Sequence, residues 1–76
     1  MDDFLVGNAL FEIAKIRVKE KDFYEAYFNL KRCSYYGFTS ARLQEYKTFT
    51  EGVLYLMKRK TKKGVRILSS LIEPQP

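Results

Sequence analysis

The sequence predicts an all-α fold of four helices in one small domain, and three observations carry that expectation. Apolar residues recur at steps of three and four along four separate segments. Residues that start or stop helices stand at the breaks: Asp22, then Gly37 with Thr39 or Ser40, then Thr61. Part of the pattern also returns at a constant spacing, with Ala14 and Gly52, Ala26 and Gly64, and Leu30 and Leu68 each 38 residues apart.

The first segment runs from about Asp3 to Lys19. Val6, Ala9, Leu10, Ile13 and Ile16 line one helical face, Phe4 and Phe11 widen it, and Gly7 weakens the first turns. Asp22 with Glu25 three residues later has the form of a capping box and opens the second helix. That helix carries Phe23, Ala26, Tyr27, Leu30 and Cys33 on one face, and Gly37 is placed to end it. Tyr24, Phe28, Tyr35 and Tyr36 fall off this stripe or at its margin. The simplest expectation is that they cover neighbouring helices, with a partner surface as the other.

Thr39 or Ser40 caps a third, longer helix that reaches about Lys58 through Leu43, Tyr46, Phe49, Thr50, Val53, Leu54 and Met57. A last helix is expected from Thr61 through Val65, Leu68, Leu71 and Ile72, with Pro74 stopping it.

Length and composition bound the rest. A chain of 76 residues makes a single domain, 1–76, that buries only about 60% of its unfolded surface. With 46% hydrophobic and 16% aromatic residues it has enough material for a core, and some apolar side chains are left over for a partner. A single cysteine, Cys33, gives no disulfide framework and fits a reducing compartment. The start, MDDFLVGNALFEIA, has acids where a signal peptide carries positive charge, and no apolar run approaches the ~18 residues of a membrane span. The expectation is a soluble, cytoplasmic protein.

The charge is confined to one place. Residues 1–57 carry eight Lys or Arg against eight Asp or Glu, so the net +5 comes from Lys58, Arg59, Lys60, Lys62, Lys63 and Arg66 against Glu73. A basic patch on a neutral body attracts phosphate, anionic lipid or an acidic protein surface, and it also suits a solvated turn between helices.

The spacing of 38 draws attention to small residues. Ala14 with Gly52 and Ala26 with Gly64 suit the close approach of the two helices of a hairpin. Here the chain resembles the tetratricopeptide repeat, a helix–turn–helix unit of 34 residues. Leu10, Ile13 and Ala14, the stretch KDFYEA, Ala26 and Leu30 match one unit, and Gly52, Tyr55 and Gly64 match a second. The units span about 7–40 and 45–74. Arg17, Phe38 and Thr48 depart from the family pattern, and the spacing is four residues longer.

The resemblance implies two stacked antiparallel helical hairpins whose first helices line a groove. Groove positions would be Asn8, Phe11, Glu12, Lys15 and Lys19, then Tyr46, Phe49, Thr50, Val53 and Met57. The implied function is binding of a protein or peptide partner, or of a second copy, with Phe11, Lys15, Tyr46, Phe49, Val53 and Met57 as the contact set. Two units fall short of the three that solenoids usually stack, which favours self-association or a partner over an open end. Phe11 and Thr50 stand at two of the groove positions where carboxylate-gripping members use Lys and Asn, so an apolar-anchored or amphipathic peptide suits the groove better.

A second resemblance competes. YYGFTSARLQEY, residues 35–46, resembles the turn and recognition helix of a helix-turn-helix. VLYLMKRK and VRILSSL would then be the strands of a wing with TKKG at its tip. Lys58, Arg59, Lys60, Lys62 and Lys63 would touch phosphate, while Ser40, Arg42, Gln44 and Lys47 would face bases. The implied function is DNA binding.

Catalytic chemistry is hard to assemble from this composition. There is no histidine, no metal-ligand spacing, no glycine-rich phosphate loop, and one cysteine at a helical core position. No cofactor or metal is expected, and the expected role is binding rather than catalysis.

Overall fold

A computed structural model describes residues 2–72. The chain forms α1 (Asp3–Lys19), α2 (Phe23–Tyr35), α3 (Ala41–Met57) and α4 (Thr61–Ser69). No strand occurs among the described residues. The winged helix-turn-helix is therefore overturned. Residues 61–69, which that reading needed as hairpin tip and strand, are one helix. Ser40, expected to face bases, instead accepts the Leu43 N–H at 3.0 Å and caps α3.

Local chemistry sets the helix ends. Asp2 accepts the Phe4 N–H at 2.9 Å, and Asp22 accepts the Glu25 N–H at 3.3 Å. α1 stops where Lys21 turns left-handed at φ 62°, the Asp22 N–H reaching back to Arg17 O and the Lys21 N–H to Val18 O. α3 stops the same way. Arg59 is at φ 63°, Lys60 N–H reaches Tyr55 O, and Arg59 N–H reaches Leu56 O. Arg17 and Tyr55, Val18 and Leu56, and Lys21 and Arg59 all stand 38 residues apart, so the spacing seen in the sequence extends to the turn geometry. α2 ends on Gly37 at φ 79°, a conformation that glycine adopts without a Cβ penalty.

Two expectations about the last helix are corrected. Its cap position is Lys60, with no side-chain cap bond, and Thr61 is already helical. Leu71 and Ile72 lie in turns after Ser69 rather than in the helix. Pro74, expected to stop that helix, lies outside the described residues.

The helices form two stacked antiparallel hairpins. α1 packs on α2 and α3 on α4, while α2 against α3 joins the pairs. Small residues set the close contacts. A Cβ on Gly64 would lie 2.9 Å from the Gly52 carbonyl, and one on Gly52 would lie 2.6 Å from Leu68 Cγ. Ala14 and Ala26, at the matching places of the first hairpin, are completely buried.

The larger core joins three helices: Leu10, Phe11 and Ala14 from α1, Leu30 and Cys33 from α2, Leu43 from α3, and Phe38 from the α2–α3 turn. Leu30 and Leu43 are fully buried, each worth ~1.5–3 kcal/mol of apolar burial. The buried face of α1 is not the one its apolar spacing predicts. Ile13 and Ile16 are 40% and 52% exposed, because α1 turns its Gly7–Leu10–Phe11–Ala14 face inward. Its apolar residues outnumber what one face can hide.

Candidate functional site

The contact set named from the sequence divides in the structure. Phe11 is buried, with its ring 5.6 Å from that of Phe38 and 5.7 Å from that of Tyr46. It holds the core together and offers no anchor to a partner. Lys15 lies over it, with Nζ 4.8 Å from the ring centre and 3.0 Å from Glu12 Oε1. Thr50, also placed in the groove by the sequence, is fully buried and donates its hydroxyl to Tyr46 O at 2.8 Å. A hydroxyl so satisfied sits in the core without an unpaired polar atom.

Tyr46 and Phe49 do share a groove. It has a volume of about 620 Å³ and is completed by Val18 of α1, Arg42 and Glu45 of α3, and Ser70 and Leu71 beyond α4. Phe23 backs Phe49 edge-on, with ring centres 6.1 Å apart. Val53 is half-buried and Met57 is exposed, and neither lines this groove. Arg42 and Glu45 were absent from the contact set, although steps of three and four put them on one helical face with Tyr46 and Phe49. Leu71 had no such signal, since it follows the end of α4.

A second cleft, of about 190 Å³, opens between α2 and α3 and is lined by Tyr27, Glu51, Leu54, Tyr55 and Lys58. Tyr27 Oη donates to Glu51 Oε2 at 3.1 Å. Burial, and then that hydrogen bond and the Glu51 charge, push the Tyr27 hydroxyl above its ordinary range, so it stays a donor. Lys31 Nζ lies 5.7 Å from the Tyr27 ring centre and Lys63 Nζ lies 4.4 Å from that of Tyr55.

The basic stretch reaches this cleft through Lys58, which lines it, and Lys63, which lies over Tyr55. Lys58, Arg59, Lys60, Lys62, Lys63 and Arg66 are all exposed. Among the described residues the ion pairs are Lys15–Glu12 and Arg17–Glu20, so none of the six cations is neutralised by an acid in contact.

Apolar side chains also stand on outer faces. Tyr24, Phe28 and Tyr35 of α2 are 55%, 59% and 84% exposed, so they do not cover neighbouring helices as the simplest sequence reading expects. On α1, Leu5 joins Ile13 and Ile16 on the exposed side.

Cys33 is fully buried and donates its thiol to Asn29 O at 3.2 Å. Burial pushes that thiol up, away from the thiolate a nucleophile needs. Among the described residues no group of His, Cys, Asp or Glu is placed to hold a metal ion, and no helix is long and apolar enough to cross a membrane. Compared with known proteins, the chain matches no family model, no curated protein and no solved structure.

Proposed function

We propose that this molecule is a small protein-interaction module that seats an apolar-anchored helical segment of a partner in the Tyr46–Phe49 groove. The observation that carries the proposal is the groove itself. Val18, Tyr46, Phe49 and Leu71 give it an apolar floor open to solvent, and Arg42 and Glu45 stand beside them with opposite charges. Its volume is in the range that holds a few large side chains. A segment with apolar anchors one turn apart, an acid to meet Arg42 and a base to meet Glu45, complements it.

The resemblance to tetratricopeptide repeats supports the same reading, since it implies binding along the first helices of each hairpin. The module would act by occupancy, docking onto its partner rather than transforming it. The buried free thiol of Cys33 suits a reducing, cytoplasmic setting.

Peptide selection against the folded protein, followed by titration of the selected peptides, tests this. Phe49→Lys is expected to weaken the selected helical peptides at least tenfold, or about 1.4 kcal/mol. Arg42→Glu lies on an exposed residue and should instead shift selection from acidic to basic flanks. Peptides that bind both variants as they bind the parent, with circular dichroism unchanged, would place recognition elsewhere. A dimer seen by sedimentation and abolished by Phe49→Lys would replace the peptide by a second copy.

A further inference from the structure

We infer that the α3–α4 turn and the tyrosine cleft beside it form a binding site for single-stranded nucleic acid, separate from the apolar groove. The inference rests on three features that the proposed peptide site does not use.

The first is concentrated charge of one sign. Residues 58–66 place six cations on one turn and the start of α4, all exposed, with no acid in that stretch and no ion pair to any described residue. A solvated helical face usually mixes signs so that its charges offset one another, as α1 does with Glu12–Lys15 and Arg17–Glu20. Here the chain keeps like charges together against their mutual repulsion, and a polyanion relieves that repulsion.

The second feature is aromatic surface at the edge of the charge. Tyr27 and Tyr55 both line the cleft, Lys58 closes one side of it, and Lys31 and Lys63 lie over the two rings. Alternating aromatic rings and cations is the arrangement that takes up stacked bases and the phosphates between them. An acidic peptide needs the cations but not the rings. A double helix hides its base faces, so it too would leave the rings unused.

The third is Glu51. It sits in the cleft and already accepts from Tyr27 Oη. A carboxylate there repels phosphate from the cleft, and its remaining acceptor capacity suits the amino edge of a base. Phosphate belongs on the rim of lysines and the base between the tyrosines.

The test uses the whole protein and fluorescein-labelled 12-nucleotide single strands of RNA and of DNA, titrated by anisotropy. A duplex of the same length, polyglutamate and anionic phospholipid vesicles serve as competitors. Neutralising about four to six phosphates predicts a log–log salt slope of about −3 to −4. Affinity then falls about 50- to 300-fold between 50 and 200 mM salt. The double variant Lys60→Glu/Lys62→Glu, at exposed positions, should lose at least tenfold in affinity and flatten the slope. Tyr55→Leu keeps an apolar side chain against the helix and should lose about tenfold at an unchanged slope. Strand binding should exceed duplex binding, whichever sugar the strand carries.

Four results would overturn the inference. These are no binding at 50 mM salt, equal binding of strand and duplex, competition by polyglutamate or vesicles at matched charge, and a Tyr55→Leu protein that is folded and binds like the parent. Phe49→Lys should leave strand binding intact, so failure of the peptide site and failure of this one are read separately.

Discussion

Lys21 and Arg59 hold left-handed backbones, which cost an L-residue roughly 1–2 kcal/mol that glycine does not incur. Both conformations close a helix with two reach-back hydrogen bonds, so the hairpin geometry holds them in place. Gly7 presents the opposite case. Propensity alone says that alanine would improve that helical position by about 1 kcal/mol. A Cβ there, however, would lie 2.5 Å from Phe38 Cβ. That atom cannot swing aside like a side-chain tip, since the Phe38 N–H is tied to Cys33 O at 3.0 Å. Overpacking of this kind costs ~1–3 kcal/mol. Thermal melts of two single variants should therefore move in opposite directions. Lys21→Gly is expected to gain about 0.5 kcal/mol, raising Tm by about 2–4 °C. Gly7→Ala is expected to lower Tm, and a rise would mean that Phe38 is free to move.

Among the elements, α4 is built on the same plan as α2 but lacks its cap. Asp22 opens α2 by accepting the Glu25 N–H, whereas the residue 38 positions later is Lys60, which accepts nothing and adds positive charge at the positive end of the helix dipole. Lys60→Asp supplies both missing terms and should stabilise the protein by about 1 kcal/mol, read as an increased midpoint in urea. The gain should shrink in high salt, because part of it is the removal of repulsion from Lys62 and Lys63. A gain that persists unchanged would assign it wholly to the cap hydrogen bond. Helix boundaries were largely legible in the sequence, because Asp22, Gly37 and Ser40 act within one turn of themselves. The ends at Lys21 and Arg59 were not, since a left-handed lysine or arginine has no local signature and is imposed by the pairing of helices. Nor was the inward face of α1. Its small residues decide how closely α2 can approach, and that outweighs the count of large apolar ones.

Across the whole molecule the two hairpins are unequal. The larger core is shared by α1, α2 and α3, whose Leu10, Leu30 and Leu43 pack in one cluster. That sharing is why the residues of the sequence-derived contact set lie in different places, Phe11 in the core and Tyr46 and Phe49 at the groove. Phe11 and Thr50 share a helical period with groove residues, and periodicity cannot say which side of a helix its neighbours will cover. α4 contributes one buried residue, Gly64, and packs on α3 alone. A helix of nine residues is marginal by itself, and this one starts uncapped among lysines. Native-state hydrogen exchange should therefore separate two openings. Amides of Leu68 and its neighbours in α4 are expected to exchange through a partial unfolding that costs less than global unfolding. Mid-helix amides of α1, α2 and α3, such as those of Ala14, Leu30 and Thr50, should exchange only with the whole. The partial opening would expose Gly52 and Leu56, which α4 packs against, while leaving Tyr46 and Phe49 on an intact α3. Equal exchange free energies for Leu68 and Leu30 would make the four helices one cooperative unit, with the Gly52–Gly64 contact holding α4 as firmly as the shared core holds the rest.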